Sequence, residues 1–258
     1  MKVFRKQDPQ IQKTRWFFLW WFIGGFSLMV SVYGSCFCLH TPKKAVLVDY
    51  WVWAGIRPET GMEKSVLYIY QGILRKTEEG PSYERLGLFP HPLKQNIYIV
   101  YRLSGGLPSA EEIVKLFEVN AGFWIHHDVN VIGLQLDFDS PTSKLLSYSD
   151  FLSQVRAHLN PDYKLSITGL GDWVLFGHKN SLQTIEKNTD EIVFQLYQDR
   201  HHFADIERYI HKLMHLDMPF KVGLLNHQSP EIYINKLRES PYFRGAVIFV
   251  QKQNKEKS

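Results

Sequence analysis

Short runs of apolar, β-branched and aromatic residues alternate with amphipathic segments through most of this chain. The runs have the length and composition of buried strands, and the segments between the later ones carry the apolar spacing and capping residues of helices. The predicted strands span residues 45–53, 65–71, 96–103, 131–138, 164–169, 191–197, 219–225 and 244–250. The predicted helices span residues 109–127, 146–159, 174–187, 203–216 and 230–239.

Eight strands with mostly helical crossovers predict a small (β/α)8 barrel of the TIM type. Its first two βα units are expected to be irregular, because residues 54–64 offer only a short helix and residues 72–95 are rich in glycine, proline and charge. An open doubly wound sheet is the alternative, but the first strand is not followed by a glycine-rich phosphate loop. Closure of the barrel predicts that strands 45–53 and 244–250 pair in parallel.

The N-terminal region has the pattern of a membrane anchor. Residues 16–39 contain no charged side chain and are long enough to cross a bilayer core. Residues 1–15 carry five basic side chains against one acidic one, so the positive-inside rule keeps them in the cytoplasm. We therefore expect a single-pass signal anchor in the bacterial inner membrane, an exported barrel over residues 40–251 and a flexible tail over residues 252–258.

The formal net charge of +4 comes from this basic N-terminal flank, and the rest of the chain is balanced. The charge therefore gives no reason to expect a nucleic-acid partner. The two cysteines, Cys36 and Cys38, both lie at the outer end of the apolar run. The segment before Cys36 loosely resembles a lipoprotein cleavage site, so lipidation of Cys36 is an alternative to the anchor. Either way the protein is expected to be attached to the membrane.

The fourth predicted strand carries the strongest chemical signal. Gln135, Asp137 and Asp139 share one face of it, because strand side chains alternate with period two. Acids are costly to bury unless they are paired or used, and ligands of α/β barrels bind at the C-terminal ends of the strands. Asp137 and Asp139 are therefore the catalytic candidates, although Asp139 is equally suited to capping the next helix.

The same alternation assigns further polar and aromatic side chains to the barrel interior. The candidates for substrate binding are Asp49, Trp51, Trp53, Arg102, Gln135, Thr168, Gln195 and Tyr197, with Tyr98 and Ser166 also facing inward. Aromatic faces stack on pyranose rings while amides and acids bond sugar hydroxyls, so this set suits a glycan. The structural alternative is that the tryptophans are core residues and that Arg102 only neutralises a buried acid.

Other chemistries have weaker support. The pairs His126–His127 and His201–His202 lie in or next to predicted helices, where exposed pairs are usually inert, and we expect no metal and no cofactor. Ser166 and Thr168 are not part of the Gly-x-Ser-x-Gly turn that exposes the nucleophile of a serine hydrolase, so we do not expect that activity.

The segment from Val131 to Trp173 resembles a family of exported bacterial proteins, the domain of unknown function 3142. The resemblance rests on the segments Leu134–Asp139, Val155–Leu159 and Leu165–Trp173. The aromatic segment Asp49–Trp53, at the start of the predicted barrel, is similar too. It implies a glycoside-hydrolase-like barrel with a signal or lipoprotein leader, and a role connected with carbohydrate.

The fourth strand also looks like part of the Asp-x-x-Asp-x-Asp-x-Glu motif of family-eighteen chitinases. Asp137 and Asp139 match the second and third acids, but Leu134 replaces the first and Pro141 replaces the catalytic glutamate. The usual proton donor of that family is therefore missing. Asp137 and Asp139 could divide the catalytic roles between them. Asp49, Asp172 or Asp199 would be a third candidate for one of these roles.

Two hypotheses follow. In the first, the protein is a membrane-anchored glycoside hydrolase that acts on an envelope or exported polysaccharide. In the second, the barrel has lost catalysis and binds a glycan or an envelope partner protein. The two acids favour the first hypothesis, and the missing glutamate favours the second.

The anchor can be tested with a reporter enzyme fused after Ser258. We expect activity from a reporter that works only outside the cytoplasm, because the basic residues precede the apolar run. A cytoplasm-dependent reporter at the same position is the matched control, and its activity would contradict the orientation. Retention of the full-length mass by the parent and by the Cys36→Ser variant alike would exclude lipidation.

Overall fold

The computed structural model describes residues 46–53, 56–58, 61–198, 201–202, 206–226 and 229–250. All of them fall in the second of two compact units, Lys44–Ser258. The predicted anchor and Cys36 lie outside the described residues. Among the residues that are described, none of the helices is long and apolar enough to span a bilayer.

Eight parallel strands close into a barrel. They are β1 (Val48–Val52), β2 (Leu67–Thr77), β3 (Ile97–Ser104), β4 (Val131–Asp137), β5 (Lys164–Leu170), β6 (Glu191–Gln195), β7 (Phe220–Leu225) and β8 (Phe243–Phe249). Each pairs with the next, and β1 pairs with β8 in parallel, with Val48 opposite Ala246 and Trp51 opposite Phe249. The predicted barrel and its closing pair are confirmed, and the open sheet is excluded.

In the part of the chain that the structure describes, six helices follow the strands on the outside. They are α1 (Ala110–Ile125), α2 (Leu145–His158), α3 (Gly171–Phe176), α4 (Lys179–Asn188), α5 (Ile206–Met214) and α6 (Pro230–Leu237), with a 3-10 turn at Thr142–Lys144. The outward side chains of the strands and the buried faces of these helices form the main hydrophobic core. The single helix predicted over residues 174–187 is two helices, α3 and α4, and α3 begins as soon as β5 ends.

The first βα units are irregular, as predicted. No helix connects β1 to β2 in the described part of that segment. β2 runs on into a hairpin, in which Gly80–Arg85 pairs antiparallel with residues 72–77. The predicted strand 191–197 also ends early, at Gln195, and Tyr197–Gln198 pairs antiparallel with His201–His202 instead.

The base of the barrel, at the N-terminal ends of the strands, holds a buried charge cluster. Lys221 on β7 places its Nζ 2.8 Å from Asp49 Oδ2 and 2.7 Å from Glu191 Oε2. Lys221 also donates to the Tyr68 hydroxyl at 3.1 Å. Burial alone would lower the pKa of Lys221, but the two carboxylates outweigh it and raise that pKa above its ordinary value. The ammonium therefore stays charged and links β1, β6 and β7 across the interior.

A chain of hydrogen bonds continues from this base to the middle of the barrel. Ser166 donates to Glu191 at 2.8 Å and accepts from Gln135 Nε2 at 2.9 Å. Gln135 Oε1 in turn accepts from Trp51 Nε1 at 2.6 Å. The Trp51 ring passes over Gly223, where a Cβ would lie 2.5 Å from the indole, so β7 needs a glycine at this point. The interior below the mouth is therefore filled.

Replacing Lys221 with methionine should destabilise the fold by about 3–5 kcal/mol, because two buried carboxylates lose their counter-charge. The measurement is the free energy of unfolding by urea. Lys212→Met on α5, which removes an exposed lysine, is the matched control and should change it little. Adding Asp49→Asn and Glu191→Gln to Lys221→Met should recover much of the loss. A Lys221→Met variant as stable as the parent would show that the cluster does not hold the barrel together.

Candidate functional site

One arginine holds two carboxylates at the mouth of the barrel, where the strands end. Arg102 on β3 and Asp137 on β4 are register partners on neighbouring strands, so their side chains meet on the inner face. Arg102 Nη1 lies 3.2 Å from Asp137 Oδ2, and Nη2 lies 2.6 Å from Asp139 Oδ2. We call Arg102, Asp137 and Asp139 the acid–arginine cluster.

The two acids of this cluster have different environments. Asp137 is only 2% exposed, and its Oδ1 accepts hydrogen bonds from Thr168 Oγ1 at 2.8 Å and Gln195 Nε2 at 3.2 Å. Burial raises the pKa of Asp137, and the charge of Asp139 adds to the rise, whereas Arg102 and the two hydrogen bonds oppose it. The Asp139 side chain is 46% exposed. Asp139 therefore meets solvent directly, and Asp137 lies below it.

Four aromatic side chains form a shelf beside the cluster: Trp53, Tyr70, Tyr197 and Phe249. Trp53 stacks on Tyr70, with ring centroids 4.2 Å apart and planes 13° from parallel, and meets Phe249 edge-on at 5.4 Å. Tyr197 lies 6.1 Å from Phe249. We call these four residues the aromatic shelf.

The charges of the cluster act on the two tyrosines of the shelf. Burial raises the pKa of Tyr70 to about 12, and the nearby charges of Arg102 and Asp137 act on that pKa in opposite directions. Burial also raises the pKa of Tyr197, and Asp137 and Asp139 raise it further. Both hydroxyls therefore stay protonated near neutral pH and can serve as donors.

The structure separates the predicted site residues into two levels. Arg102, Asp137, Asp139, Thr168 and Gln195 meet at the mouth, with Trp53 and Tyr197 beside them. Trp51 and Gln135, expected in the same site, lie below it and bond each other.

Asp49, also expected at the mouth, lies at the opposite end of the barrel in the Lys221 cluster. Alternation predicts which side chains face the interior, but not how far along the barrel axis they lie. Asp49 lies one layer of side chains below Trp51, towards the base. Of the other acids named as third candidates, Asp172 lies exposed at the start of α3 and accepts a bond from Tyr209 at 2.8 Å. Asp199 lies outside the described residues.

Sequence reasoning missed two members of the shelf, Tyr70 and Phe249. Both lie in predicted strands and on the faces that alternation turns inward, two residues beyond Tyr68 and Val247. Their positions near the ends of those strands were the available signal.

Comparison with known proteins agrees with this barrel. The model of the domain of unknown function 3142 (DUF3142) matches residues 94–204, which confirms the resemblance to that family. The matched segment contains all of the acid–arginine cluster as well as Thr168, Gln195 and Tyr197. No curated protein matches the sequence.

Two solved structures share the fold. One is the xylanase and alpha-amylase inhibitor protein XAIP-II from Scadoxus multiflorus, with 12% identity, a TM-score of 0.50, and 79% of this chain and 92% of that chain covered. The other is the inhibitor XAIP-I in complex with trehalose, for which all four values are the same. At this identity the likeness shows a common fold and no more.

Replacing Arg102 with methionine should raise the pKa of Asp137 further, because Arg102 is the strongest of the influences that lower it. The measurement is the pH titration of the Asp137 carboxyl carbon by NMR, with Asp137→Asn assigning the signal. Arg75→Met, which removes an exposed arginine paired with Glu84, is the matched control. An unchanged or lowered pKa would show that Arg102 does not stabilise the carboxylate.

The same shift predicts how stability depends on pH. A carboxyl whose pKa is raised in the folded state favours folding when it is protonated. The contribution of Asp137 is therefore fully present below the ordinary aspartate pKa of about 4 and is lost as the pH rises through the raised value. In the Arg102→Met variant the pKa of Asp137 is expected to be higher still. The stabilising contribution of the protonated carboxyl should therefore be lost at a higher pH than in the parent.

Proposed function

We propose that this chain is a glycoside-hydrolase-like barrel that binds a glycan at its mouth. The observation that carries the proposal is that the aromatic shelf and the acid–arginine cluster lie at the same mouth of the barrel, where Gln195, two residues before Tyr197, bonds Asp137. Aromatic faces pack on the C–H faces of a sugar ring, and charged or amide groups bond its hydroxyls. Both kinds of group meet here at the end of the barrel where such folds bind their ligands.

The filled interior supports a sugar bound on top of the barrel. Trp51 is 2% exposed and Gln135 is fully buried, and together they close the space below the mouth. Of the two carboxylates in the acid–arginine cluster, Asp139 is the more exposed. Its Oδ1 accepts no hydrogen bond from the described residues. A bound sugar would therefore rest on the shelf and donate a hydroxyl to Asp139, while Arg102 holds the other oxygen of that carboxylate in place.

Hydrolysis is the second candidate function, and the contrast between the two acids favours it. Pairs of carboxyls with unlike environments divide the roles of proton donor and base in glycosidases. Asp137, with its raised pKa, would be the donor, and Asp139 would be the base or nucleophile. Both oxygens of Asp137 already accept bonds, so the sugar would have to displace Arg102 before the proton could be transferred. Binding needs no such rearrangement, and for that reason we place it first.

We further propose that the glycan is an envelope or exported polysaccharide and that the protein is held in the inner membrane by residues 16–39. The uncharged run and its basic flank support this location. A single span with the N-terminus inside would hold the barrel on the periplasmic or extracellular side.

Glycan binding is tested by screening the full-length protein against bacterial polysaccharides and measuring the dissociation constant of any ligand found. Trp53→Ala should weaken binding roughly tenfold, because it removes one stacking face of the shelf. Phe123→Ala on α1, which removes an exposed aromatic side chain far from the mouth, is the matched control. Equal losses in the two variants would place the binding site elsewhere, and the absence of any glycan ligand would refute the proposal.

The same panel separates binding from hydrolysis by assaying for released reducing ends. If the parent cleaves a glycan, Asp137→Asn should abolish cleavage and leave the fold intact, since the amide cannot donate the proton. Cleavage by this variant at the parental rate would make Asp137 a structural residue. Binding without cleavage by the parent would support the binding function alone.

A further inference from the structure

The hairpin that continues β2 extends past the mouth on one side of the barrel. Ile73 on β2 is level with Arg102 on β3, and Arg102 is level with Asp137 at the end of β4. β2 continues to Thr77, four residues beyond that level. At 3.3 Å per residue the strand therefore reaches about 13 Å further than β4 does. The hairpin forms a wall that rises past the acid–arginine cluster.

A bulge decides which side chains of this hairpin face the mouth. The pairing of β2 with β3 shifts by one residue just after Tyr70, and bulges at barrel rims re-aim the side chains that follow them. Beyond the shift, Leu74 packs outward in the main hydrophobic core. Ile73 and Arg75 alternate with it, so they lie on the side of Arg102 and face the mouth.

The second strand of the hairpin adds polar groups to the same side. Glu84 is the register partner of Ile73, and Ser82 is the register partner of Arg75. Arg75 Nη2 lies 2.9 Å from Glu84 Oε2, and both side chains are about half exposed. The charges of both act on the pKa of Tyr70, so the pair lies close to the aromatic shelf. We call Ile73, Arg75, Ser82 and Glu84 the hairpin wall.

We propose that the hairpin wall is a second sugar subsite, and that the glycan bound at the mouth is a chain of several sugars lying across the aromatic shelf and the wall. This inference rests on the proposed function, because the first sugar of the chain is the one that packs on the shelf. The wall begins beside that sugar and continues away from it. It therefore contacts the sugars that follow in a chain, and a single sugar on the shelf does not reach it.

The chemistry of the wall suits the next sugar. A carboxylate accepts hydrogen bonds and a guanidinium donates them, so Glu84 and Arg75 together can bond two neighbouring hydroxyls. Ile73 offers an apolar contact to the C–H face of the ring. An exposed ion pair contributes little to stability, so this pair can be changed without unfolding the barrel.

Chain length tests the subsite. The dissociation constants of the full-length protein in detergent are measured by calorimetry for cello-oligosaccharides and for glycan strands of peptidoglycan, each fractionated from one to six sugars. The six-sugar chains are expected to bind about tenfold or more tightly than the single sugars, because only they reach the charged pair of the wall.

One substitution on the wall should remove most of this gain with length. Glu84→Ala takes away the carboxylate that accepts from the second sugar, so the ratio between the two dissociation constants should fall about tenfold. Asp217→Ala is the matched control, since it breaks a similarly exposed ion pair with Lys179 just before β7, at the base of the barrel. The control should keep the parental ratio, and circular dichroism shows that both variants retain the fold.

A label on the wall gives a second measurement. In a Cys36→Ser, Cys38→Ser background, Ser82→Cys carries an environment-sensitive fluorophore, which should respond to the six-sugar chains and not to the single sugars. The same label at Lys212→Cys, on the exposed face of α5, is the control and should respond to neither.

Equal dissociation constants for single sugars and six-sugar chains in the parent would overturn the subsite and leave the proposed function standing. So would a gain with length that Glu84→Ala retains or that Asp217→Ala loses to the same extent, since another surface would then hold the chain. A label at position 82 that does not respond to chains that bind would overturn it as well. If none of these sugars binds, the proposed function fails together with this inference.

Discussion

The cost of burying charge inside a closed barrel governs most of this structure. Eight strands turn one face each into an interior packed with side chains, so every polar side chain on that face must find a partner. Lys221 satisfies Asp49 and Glu191 at the base, and Arg102 satisfies Asp137 at the mouth. Each strand that contributes an acid is thereby tied to a strand across the interior or beside it.

This requirement decides which acids are available to a ligand. Asp49 is fully engaged by Lys221 and by the backbone N–H of Val66. Asp137 is engaged by Arg102, Thr168 and Gln195. Asp139 lies just beyond the end of β4, where water reaches it, and its only bond within the described part of the chain is to Arg102. The same arginine thus stabilises a buried acid and orients an exposed one, and this links the packing of the barrel to its proposed function.

The aromatic residues of the interior also lie at two levels along the barrel axis. Trp51, Tyr68 and Tyr98 pack inside the barrel, where Tyr68 and Tyr98 stack at 4.9 Å and stiffen the interior. Trp53, Tyr197 and Phe249 are one layer higher and remain partly exposed. One layer separates a core residue from the surface that we propose binds the ligand, and that layer corresponds to two residues along a strand.

The sequence by itself determined the class of fold, the closing strand pair and the inward faces of the strands, because period-two alternation and turn composition are local properties. It also determined that Asp137 and Asp139 lie at the C-terminal end of a buried strand. Only the tertiary structure decided how far along the barrel axis each side chain lies and which residues it contacts. The register between neighbouring strands placed Arg102 level with Asp137, and the closed interior brought Lys221 to Asp49 across 172 residues of sequence. Asp49 and Trp51 therefore could not be separated from the mouth by pattern alone, whereas Tyr70 and Phe249 could have been assigned to it from their positions near the ends of the predicted strands.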